Sequence, residues 1–308
     1  MKIAIAGSGA LGSGFGFQMK KNGYEVTLLD YWDEHIAAVN KNGLTVTVNH
    51  QTERVNIPMM KPSEATDQFD LVFVFTKAMG LKQMLEDIGH TLSEDTIVVC
   101  LLNGLGHENT IEKYVPRENI IMGTTVWTAS LNGPGQTTLY GDGPVEIQNI
   151  APESKDKAEK VVAILNESHL NGHYSKDVQF TTWRKACVNG TMNALCALMD
   201  ANINEIFSTS THQSLLKGIV SEFAALAKVK GIHFDLEETL EYIYNVSRKL
   251  GSHYPSMHQD LSNKRPTEID FLNGLVAEES RKVGLKAPYC QQITDLIHAK
   301  EDLLGVAR

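Results

Sequence analysis

The chain has 308 residues, which is long enough for two domains with substantial cores. Its 37 acidic residues outnumber its 28 scattered basic residues, and the formal net charge of -9 argues against nucleic acid or an anionic membrane surface as a partner. No apolar stretch reaches the roughly 18 residues that a membrane span needs, and the first strand signal begins too early to leave room for a signal peptide. We therefore expect a cytoplasmic protein.

The first thirty residues carry the most informative pattern. The run Lys2–Ala6 predicts a buried strand, and a glycine-rich turn, an apolar-periodic helix and a second strand ending on Asp30 follow in order. Strand, glycine turn, helix, strand and acid together form the dinucleotide-binding fingerprint. We expect free backbone N–H groups to bind a pyrophosphate along this turn, which consists of Gly7, Ser8, Gly9, Ala10, Leu11 and Gly12.

Asp30 bears on the choice of cofactor. A carboxylate at the end of the second strand accepts hydrogen bonds from both ribose hydroxyls of NAD, but it repels the 2′-phosphate of NADP. At an effective dielectric of 20 and about 4 Å, one pair of unit charges repels by about 4 kcal/mol before screening. No Arg or Lys follows in Tyr31 to Glu34. The pattern favours NADH over NADPH, although a carboxylate here also suits a cap for the next helix.

Strand and helix signals continue to alternate to about residue 175. Two continuous apolar strands, Leu71–Phe75 and Ile97–Leu102, end at Thr76-Lys77 and Asn103-Gly104, at the edge where open α/β sheets bind ligands. We then expect a β-rich part from Ile120, a hairpin turn within Leu139–Pro144, a helix over Ser154–Glu167 and a strand near Tyr174.

From about Lys176 only helical spacing remains, over residues 182–199, 210–230, 236–250, 267–283 and 289–304. The sequence thus predicts an α/β fold class, with a Rossmann-type dinucleotide-binding domain at residues 1–175 followed by an all-helical domain at residues 176–308. The eleven histidines show no HExxH or paired-ligand spacing, and four separated cysteines lack CxxC spacing. We therefore expect no metal and reduced thiols.

Three polar residues recur every four positions in the first of these helices. Lys185, Asn189 and Asn193 drift by about 40° per step on an α-helix, so they form one stripe among apolar or small neighbours. Buried, such a stripe is costly unless it meets a polar ligand. The other interpretation is an exposed stripe on an ordinary amphipathic helix.

A second polar cluster begins at Ser256 and continues beyond Pro266. Thr267 with Asp270 three residues later resembles a capping box, which places Glu268 in a first helical turn. A carboxylate there either favours the helix dipole or accepts hydrogen bonds from a ligand.

Together these motifs resemble the ketopantoate reductase family, in order along nearly the whole chain. The residues that carry the resemblance are Gly7 to Gly12, Thr76-Lys77-Ala78, Leu102-Asn103-Gly104, Lys185 with Asn189 and Asn193, Ser256-Met257 with Gln259-Asp260, and Thr267 to Asp270. The resemblance implies a Rossmann-type domain and a helical domain with the active site in the cleft between them. It also implies a homodimer.

The resemblance further implies roles for individual residues. Lys185 would be the proton donor, with Asn189 and Asn193 holding the substrate and Ser256 binding its carboxylate end. The remaining residues would contact the cofactor: Lys77, Asn103 and Ala129 along its length, and Glu268 near the nicotinamide ribose. Asn103 and Lys185 would also contact the substrate, and Asn189 and Glu268 would assist Lys185 in catalysis.

Several departures point to one branch of that family. Family members usually carry a basic residue near Asp30, and they often supply Asn to the substrate hydroxyls where this chain has Ile203 and His253. Trp127 either adds an aromatic wall to the pocket or belongs to the core. A site without hydroxyl partners favours apolar or aromatic 2-oxo acids. The chain thus resembles the NAD-dependent D-2-hydroxyacid (D-mandelate) dehydrogenases, which implies the D product.

Two other functions stay open at this point, besides another β-hydroxyacid dehydrogenase-like enzyme, such as an imine reductase, whose motifs fit this chain poorly. One is an NADPH-dependent 2-dehydropantoate 2-reductase (ketopantoate reductase), against which Asp30, Ile203 and His253 argue. The other is a non-catalytic NAD-binding regulator, which would not need Lys185. His258 lies near the predicted site, where a surface or packing role competes with a proton relay.

Overall fold

The computed structural model describes residues 1–307, which form two compact units. The first unit comprises Met1–Leu102 and His107–Val178. The second comprises the short segment Asn103–Gly106 and the chain from Gln179 onward. The functional division at residues 175 and 176 stays a prediction. No helix within residues 1–307 is long and apolar enough to cross a membrane.

The first unit contains an eight-stranded sheet with the order β12-β11-β8-β7-β6-β1-β2-β5. All neighbours pair parallel except β8 and β11. The strands of the first unit are β1 Lys2–Ala6, β2 Glu25–Leu29, β3 Leu44–Val48, β4 Gln51–Val55, β5 Met59–Met60, β6 Leu71–Val74, β7 Ile97–Cys100, β8 Ile120–Thr125, β9 Thr128–Gly133, β10 Gln136–Tyr140, β11 Val145–Asn149 and β12 Gly172–Tyr174. Helices cover the sheet: α1 Ala10–Lys21, α2 Asp33–Asn42, α3 Leu81–Ile88, α4 Glu108–Ile111 and α5 Lys155–Glu167. Apart from Lys2 at its start, β1 is apolar and buried, and β6 is so throughout, as parallel strands covered on both faces must be.

A second, four-stranded sheet corrects the predicted hairpin within Leu139–Pro144. Its order is β4-β3-β10-β9, and β10 ends at Tyr140, while β11 joins the large sheet. The hairpin instead joins β9 to β10 through Gly133 and Gly135, whose φ angles are 147° and 73°. A glycine-rich stretch therefore marks a change of chain direction here, but it does not tell which strands pair.

The second unit is helical, as expected, and its core is a single apolar cluster that includes Phe223, Ile219 and Cys187. Its helices are α6 Val178–Val188, α7 Ala194–Met199, α8 Ile203–Ser208, α9 His212–Val229, α10 Leu236–Leu250, α11 Ser256–Ser262, α12 Asn273–Lys282 and α13 Pro288–Leu304. All four cysteines of the chain are buried free thiols.

Two of the predicted helices in this unit differ from the structure. The helix over 182–199 is interrupted by a π-helical turn at Asn189–Asn193, which joins α6 to α7. The helix over 267–283 is wrong in its first part, where a short 3-10 turn, Ile269–Phe271, precedes α12. Leu272, with φ -116° and ψ -103°, separates the two pieces. The Thr267 hydroxyl accepts the Ile269 N–H at 3.4 Å, but Glu268 is the N-cap residue of the 3-10 turn, so the predicted capping box of an α-helix does not form here.

Candidate active site

The glycine turn after β1 is fixed by packing at its two ends and open in its middle. Gly7 has a φ of 93°, and a Cβ there would lie 2.4 Å from the Thr76 backbone nitrogen. A Cβ on Gly12 would lie 2.2 Å from the Gly7 carbonyl oxygen. Beside Gly9 no atom lies within 4 Å of the place where a Cβ would stand. The turn therefore excludes side chains where the backbone is crowded and leaves space beside Gly9.

The start of α1 fits an anionic group. The first bond inside the helix runs from the Ser13 N–H to the Gly9 oxygen at 3.0 Å, which leaves the N–H groups of Ala10, Leu11 and Gly12 without acceptors inside the helix. The first turn of α1 carries no acidic residue. These groups and the open space at Gly9 fit the pyrophosphate of a dinucleotide.

Ser8 differs from the other residues of the turn. Its hydroxyl is fully buried, donates to the Ile5 oxygen at 2.9 Å and accepts the Leu29 N–H at 3.1 Å. Its own N–H donates to the Leu29 oxygen. The Ser8 side chain thus ties β1 to β2, and its carbonyl is the part of the residue that remains for other contacts.

Asp30 follows β2 at the same edge of the sheet. Its Oδ1 accepts the N–H groups of Tyr31 at 2.8 Å and Trp32 at 3.1 Å, while Oδ2 makes no hydrogen bond within residues 1–307. One oxygen therefore orders the turn before α2, and the other is available to a ligand. Lys61, which follows β5, is engaged by Asp33 at 2.8 Å.

The remaining cofactor candidates of the first unit are Lys77, which follows a strand of the large sheet, and Ala129, which lies on a strand of the small sheet. Lys77 is exposed and immediately precedes the 3-10 turn Ala78–Gly80 beyond β6. Ala129 is half-buried on β9, opposite Leu139 of β10. Trp127 belongs to the core, because it is 6% exposed and packs edge-on against Phe15 at 6.4 Å.

Three polar side chains of the second unit are positioned by the π-helical turn. Lys185 lies near the end of α6, and Asn189 and Asn193 are the first and last residues of the turn. The Asn193 amide donates to the Ser256 hydroxyl at 3.4 Å. A cavity of about 10 Å³, the space of one ordered water, lies beside Asn189, Asn193 and Ser256. It is lined by Asn189, Asn193, Ser256, Met257, Asp260, Glu268 and Leu272.

Glu268 connects this cavity to the segment Asn103–Gly106. The Asn103 amide donates to Glu268 Oε2 at 3.4 Å, and the Leu105 N–H donates to the Phe271 oxygen at 3.0 Å. Burial lowers the pKa of Lys185 to about 8, although the negative charge of Glu268 raises it. The arrangement therefore combines an ammonium that can release its proton near neutral pH with a buried carboxylate and amides.

The sequence analysis assigned no role to two acidic residues of this region. Asp260 lines the cavity and binds Arg265 Nε through Oδ1 at 3.0 Å. Glu301, on α13, is 1% exposed, and its Oε1 accepts the Thr267 N–H at 2.8 Å. Asp260 was among the residues that carry the family resemblance, but no signal in the sequence marks Glu301 as buried.

The other residues that the sequence analysis discussed have mainly structural contacts. Ile203 is fully buried in the helical core, and its N–H donates to the His253 oxygen at 3.3 Å. His258 Nε2 lies 2.7 Å from Asp200 Oδ1, and its ring packs against Tyr254 at 4.5 Å between centroids. A side chain at position 203 thus packs in the core. Within residues 1–307 no group of three or more His, Cys, Asp or Glu side chains could hold a metal ion.

Replacing Glu301 tests whether it supports the segment that carries Glu268. We expect Glu301→Leu to lower the free energy of unfolding by about 1–3 kcal/mol, because the buried Thr267 N–H loses its acceptor. Glu301→Gln keeps an acceptor oxygen and should lose less. Urea denaturation of both variants checks this, and equal stability of the two would contradict it.

Comparison with known proteins decides the family. The sequence pattern of the family described as "Ketopantoate reductase PanE/ApbA" matches residues 3–152, and that of its C-terminal part matches residues 177–301. The chain belongs to the ketopantoate reductase family. It is therefore an oxidoreductase that acts on a CH–OH group with a nicotinamide cofactor. The Rossmann-type and helical organisation predicted from the sequence is confirmed.

Individual members of the ketopantoate reductase family match over the full length. A 2-dehydropantoate 2-reductase of Streptococcus pyogenes serotype M1 is 48% identical over 307 residues, covering 99% of this chain and 100% of the relative. That of Lactococcus lactis subsp. lactis is 45% identical over 309 residues, covering 99% of both chains. A D-mandelate dehydrogenase solved with NADH and anilino(oxo)acetate is 46% identical, with a TM-score of 0.95 and complete coverage of both chains.

Proposed function

We propose that this protein reduces a 2-oxo acid to a 2-hydroxy acid, with a nicotinamide cofactor as hydride source and Lys185 as proton donor. The observation that carries the proposal is the state of the half-buried Lys185. Burial lowers its pKa to about 8, although the negative charge of Glu268 acts in the opposite direction. A lysine with this pKa donates a proton in the reductive direction and accepts one in the oxidative direction at pH values near neutral.

The candidate catalytic and substrate-binding residues of the second unit each have a part in this reaction. When bound, the nicotinamide supplies the hydride that reaches the keto carbon of the substrate. The Lys185 ammonium stabilises the negative charge that grows on the carbonyl oxygen, transfers its proton to that oxygen and is then reprotonated from solvent. Asn189 and Asn193 donate amide N–H groups to the substrate, and the Ser256 hydroxyl donates to its carboxylate. Asn103 and Glu268 orient the groups around the reacting carbon.

The first unit supplies most of the proposed cofactor contacts. The backbone from Gly7 to Gly12 would hold the pyrophosphate, Asp30 the adenosine ribose, and Lys77 and Ala129 other parts of the dinucleotide. Asn103 and Glu268 would hold the nicotinamide ribose. The free Oδ2 of Asp30 and the pairing of Lys61 with Asp33 favour NADH over NADPH.

2-Dehydropantoate is the substrate that the named relatives support best. Both curated relatives described above are 2-dehydropantoate 2-reductases, and both match over the full length. This was the alternative in the sequence analysis, and it now stands ahead of the D-2-hydroxyacid dehydrogenase that the sequence favoured. The burial of Ile203 also weakens the argument drawn from that position, because its side chain is in the core.

A D-2-hydroxyacid dehydrogenase remains the second candidate, on one observation. The D-mandelate dehydrogenase described above was solved with NADH and anilino(oxo)acetate and shares 46% identity at a TM-score of 0.95. That likeness supports NADH and a benzoylformate-type or branched-chain 2-oxo acid, with the D product.

Initial rates in a two-by-two design separate the two candidates. NADH and NADPH are each tested with 2-dehydropantoate and with benzoylformate at the same enzyme concentration. Turnover of 2-dehydropantoate at least tenfold above that of benzoylformate supports the first candidate, and the reverse supports the second. Cofactor binding without turnover of any 2-oxo acid would refute both and would leave a non-catalytic regulator.

Three coarser expectations also belong to this proposal. We propose a homodimer, a cytoplasmic location, and a functional division of the chain into residues 1–175 and 176–308. Light scattering on the purified protein measures its oligomeric state, and a mass of one chain at micromolar concentration would contradict the dimer.

A further inference from the structure

His35, on α2, lies buried beneath the glycine turn. It is 1% exposed and contacts three separate parts of the first unit. Its Nε2 lies 3.1 Å from the Ser8 carbonyl oxygen and 3.2 Å from the Ser13 hydroxyl, and its Nδ1 lies 2.8 Å from the Gly135 nitrogen. The ring of Trp32 stacks on the imidazole at 5.3 Å between centroids. His35 thus joins the glycine turn, α1 and the β9–β10 hairpin.

These contacts determine where the proton of the ring is. The Gly135 N–H can only donate, so Nδ1 must be the unprotonated acceptor. Nε2 therefore carries the hydrogen and donates it toward the Ser8 oxygen. Burial lowers the pKa of His35, and the opposing effect of Asp30 is smaller. The ring is consequently neutral at pH 7, with a single tautomer.

The Ser8 carbonyl is held from two sides by this arrangement. It accepts the Ser13 hydroxyl at 2.7 Å as well as the Nε2–H of His35. The next peptide bond is trans and planar, so the Gly9 N–H points opposite to that carbonyl. Because His35 holds the Ser8 oxygen, the Gly9 N–H points in the opposite direction, away from the ring. Gly9 is also the residue beside which the structure leaves open space.

We propose that His35 is a positioning residue for the dinucleotide: as a neutral Nε2–H donor it orients the Ser8–Gly9 peptide so that the Gly9 N–H meets the pyrophosphate. This inference rests on the proposed cofactor. Through Gly135, the same ring fixes the end of the hairpin whose strand β9 carries Ala129. His35 therefore couples two of the segments assigned to the cofactor without touching it.

Acid should disrupt this arrangement. A protonated ring carries a hydrogen on Nδ1 that would face the Gly135 N–H, so the acceptor is lost. The groups around the ring are the Ser8 carbonyl, the Ser13 hydroxyl, the Gly135 N–H, the Trp32 indole and the charge of Asp30. Because the pKa of His35 is lowered from its ordinary value of about 6.5, cofactor affinity should hold at neutral pH and fall only below that value.

Two substitutions separate hydrogen bonding from packing. His35→Leu fills the space without a donor, whereas His35→Gln keeps an N–H near the place of Nε2. Titration of NADH fluorescence should show a Kd at least about tenfold higher for His35→Leu and at most about threefold higher for His35→Gln. At saturating NADH, kcat of both should stay within about twofold of wild type. His173→Leu, which replaces an exposed histidine on β12, is the matched control and should bind as wild type does.

A measurement on the unliganded wild-type protein tests the same proposal without any variant. The ¹⁵N chemical shifts of the His35 ring should identify a neutral Nε2–H tautomer at pH 7. An Nδ1–H tautomer, or equal Kd values for His35→Leu, His35→Gln and wild type, would overturn the proposal. Equal weakening by both substitutions would also overturn it, because packing alone would then be lost. If the wild-type protein binds neither NADH nor NADPH, the proposed cofactor itself is refuted.

Discussion

Replacing Lys185 with methionine is expected to lower kcat for 2-oxo acid reduction by a factor of about 10² to 10⁴, while NADH still binds. Methionine keeps the aliphatic length but has no proton to donate and no charge to stabilise the oxygen. Lys185→Arg restores the charge but hardly releases its proton, so it should recover only a small part of the loss. Steady-state rates together with NADH titration check both expectations.

The control for this experiment is another lysine of the second unit. Lys217→Met removes an exposed lysine on α9 that does not line the cavity, and it should leave kcat within about twofold of wild type. A Lys185→Met variant with near-normal kcat would exclude Lys185 as the proton donor.

The pH dependence of the wild-type enzyme follows from the same lysine. Reduction requires the ammonium, so its rate should fall as pH rises through about 8, where burial places the Lys185 pKa. Oxidation of the 2-hydroxy acid requires the neutral amine, so its rate should rise over the same interval. Neither pH dependence should appear in Lys185→Met. Rates in both directions, measured between pH 6 and pH 10 on both sides of the Lys185 pKa of about 8, test this.

Replacing Asp30 with asparagine is expected to reduce the preference for NADH over NADPH by at least about tenfold. Asparagine retains an oxygen for the N–H groups of Tyr31 and Trp32 but removes the charge that repels a 2′-phosphate. The unscreened repulsion between the Asp30 carboxylate and the 2′-phosphate is about 4 kcal/mol. If screening leaves about 1.4 kcal/mol of it, removing the charge changes the preference tenfold. The ratio of kcat/KM for the two cofactors is the quantity to measure.

Asp33 provides a control of matched chemistry. Asp33→Asn removes a nearby carboxylate and leaves the Lys61 ammonium unpaired. If the overall charge of this region decided the cofactor preference, this substitution would also increase the use of NADPH. We expect a change of less than about threefold for Asp33→Asn. An Asp30→Asn variant with the wild-type preference would show that Asp30 does not select the cofactor.

The sequence predicted the parts of the fold whose signals are local. β1 has the predicted bounds, and α10 begins and ends where the periodicity indicated, at Leu236 and Leu250. The hairpin within Leu139–Pro144 was wrong, because strand pairing depends on distant partners such as β3 and β8. The turn Gly133–Gly135 carried an equally strong glycine signal, and nothing local ranked one above the other.

The candidate site shows the same division between local and distant information. The spacing of Lys185, Asn189 and Asn193 predicted a common polar stripe, but it assumed α-helical geometry, and the π-helical turn changes the rotation between the last two. The contact of Asn103 with Glu268 joins residues 165 positions apart, and that of Thr267 with Glu301 joins a loop residue to α13. Such contacts arise from tertiary packing, which residue spacing does not encode.

Because the segment Asn103–Gly106 belongs to the second unit, the chain crosses between the two units three times. The chain passes from one unit to the other after Leu102, after Gly106 and after Val178. Expression of residues 1–178 alone would leave Leu105 without the helical core into which it packs, with its N–H parted from the Phe271 carbonyl. A helical fragment beginning at Gln179 would in turn lack the Asn103 amide beside Glu268. Each fragment would then lack contacts that it has in the full chain. The helical fragment would regain its contacts only if a peptide with the sequence of Asn103–Gly106 were added to it.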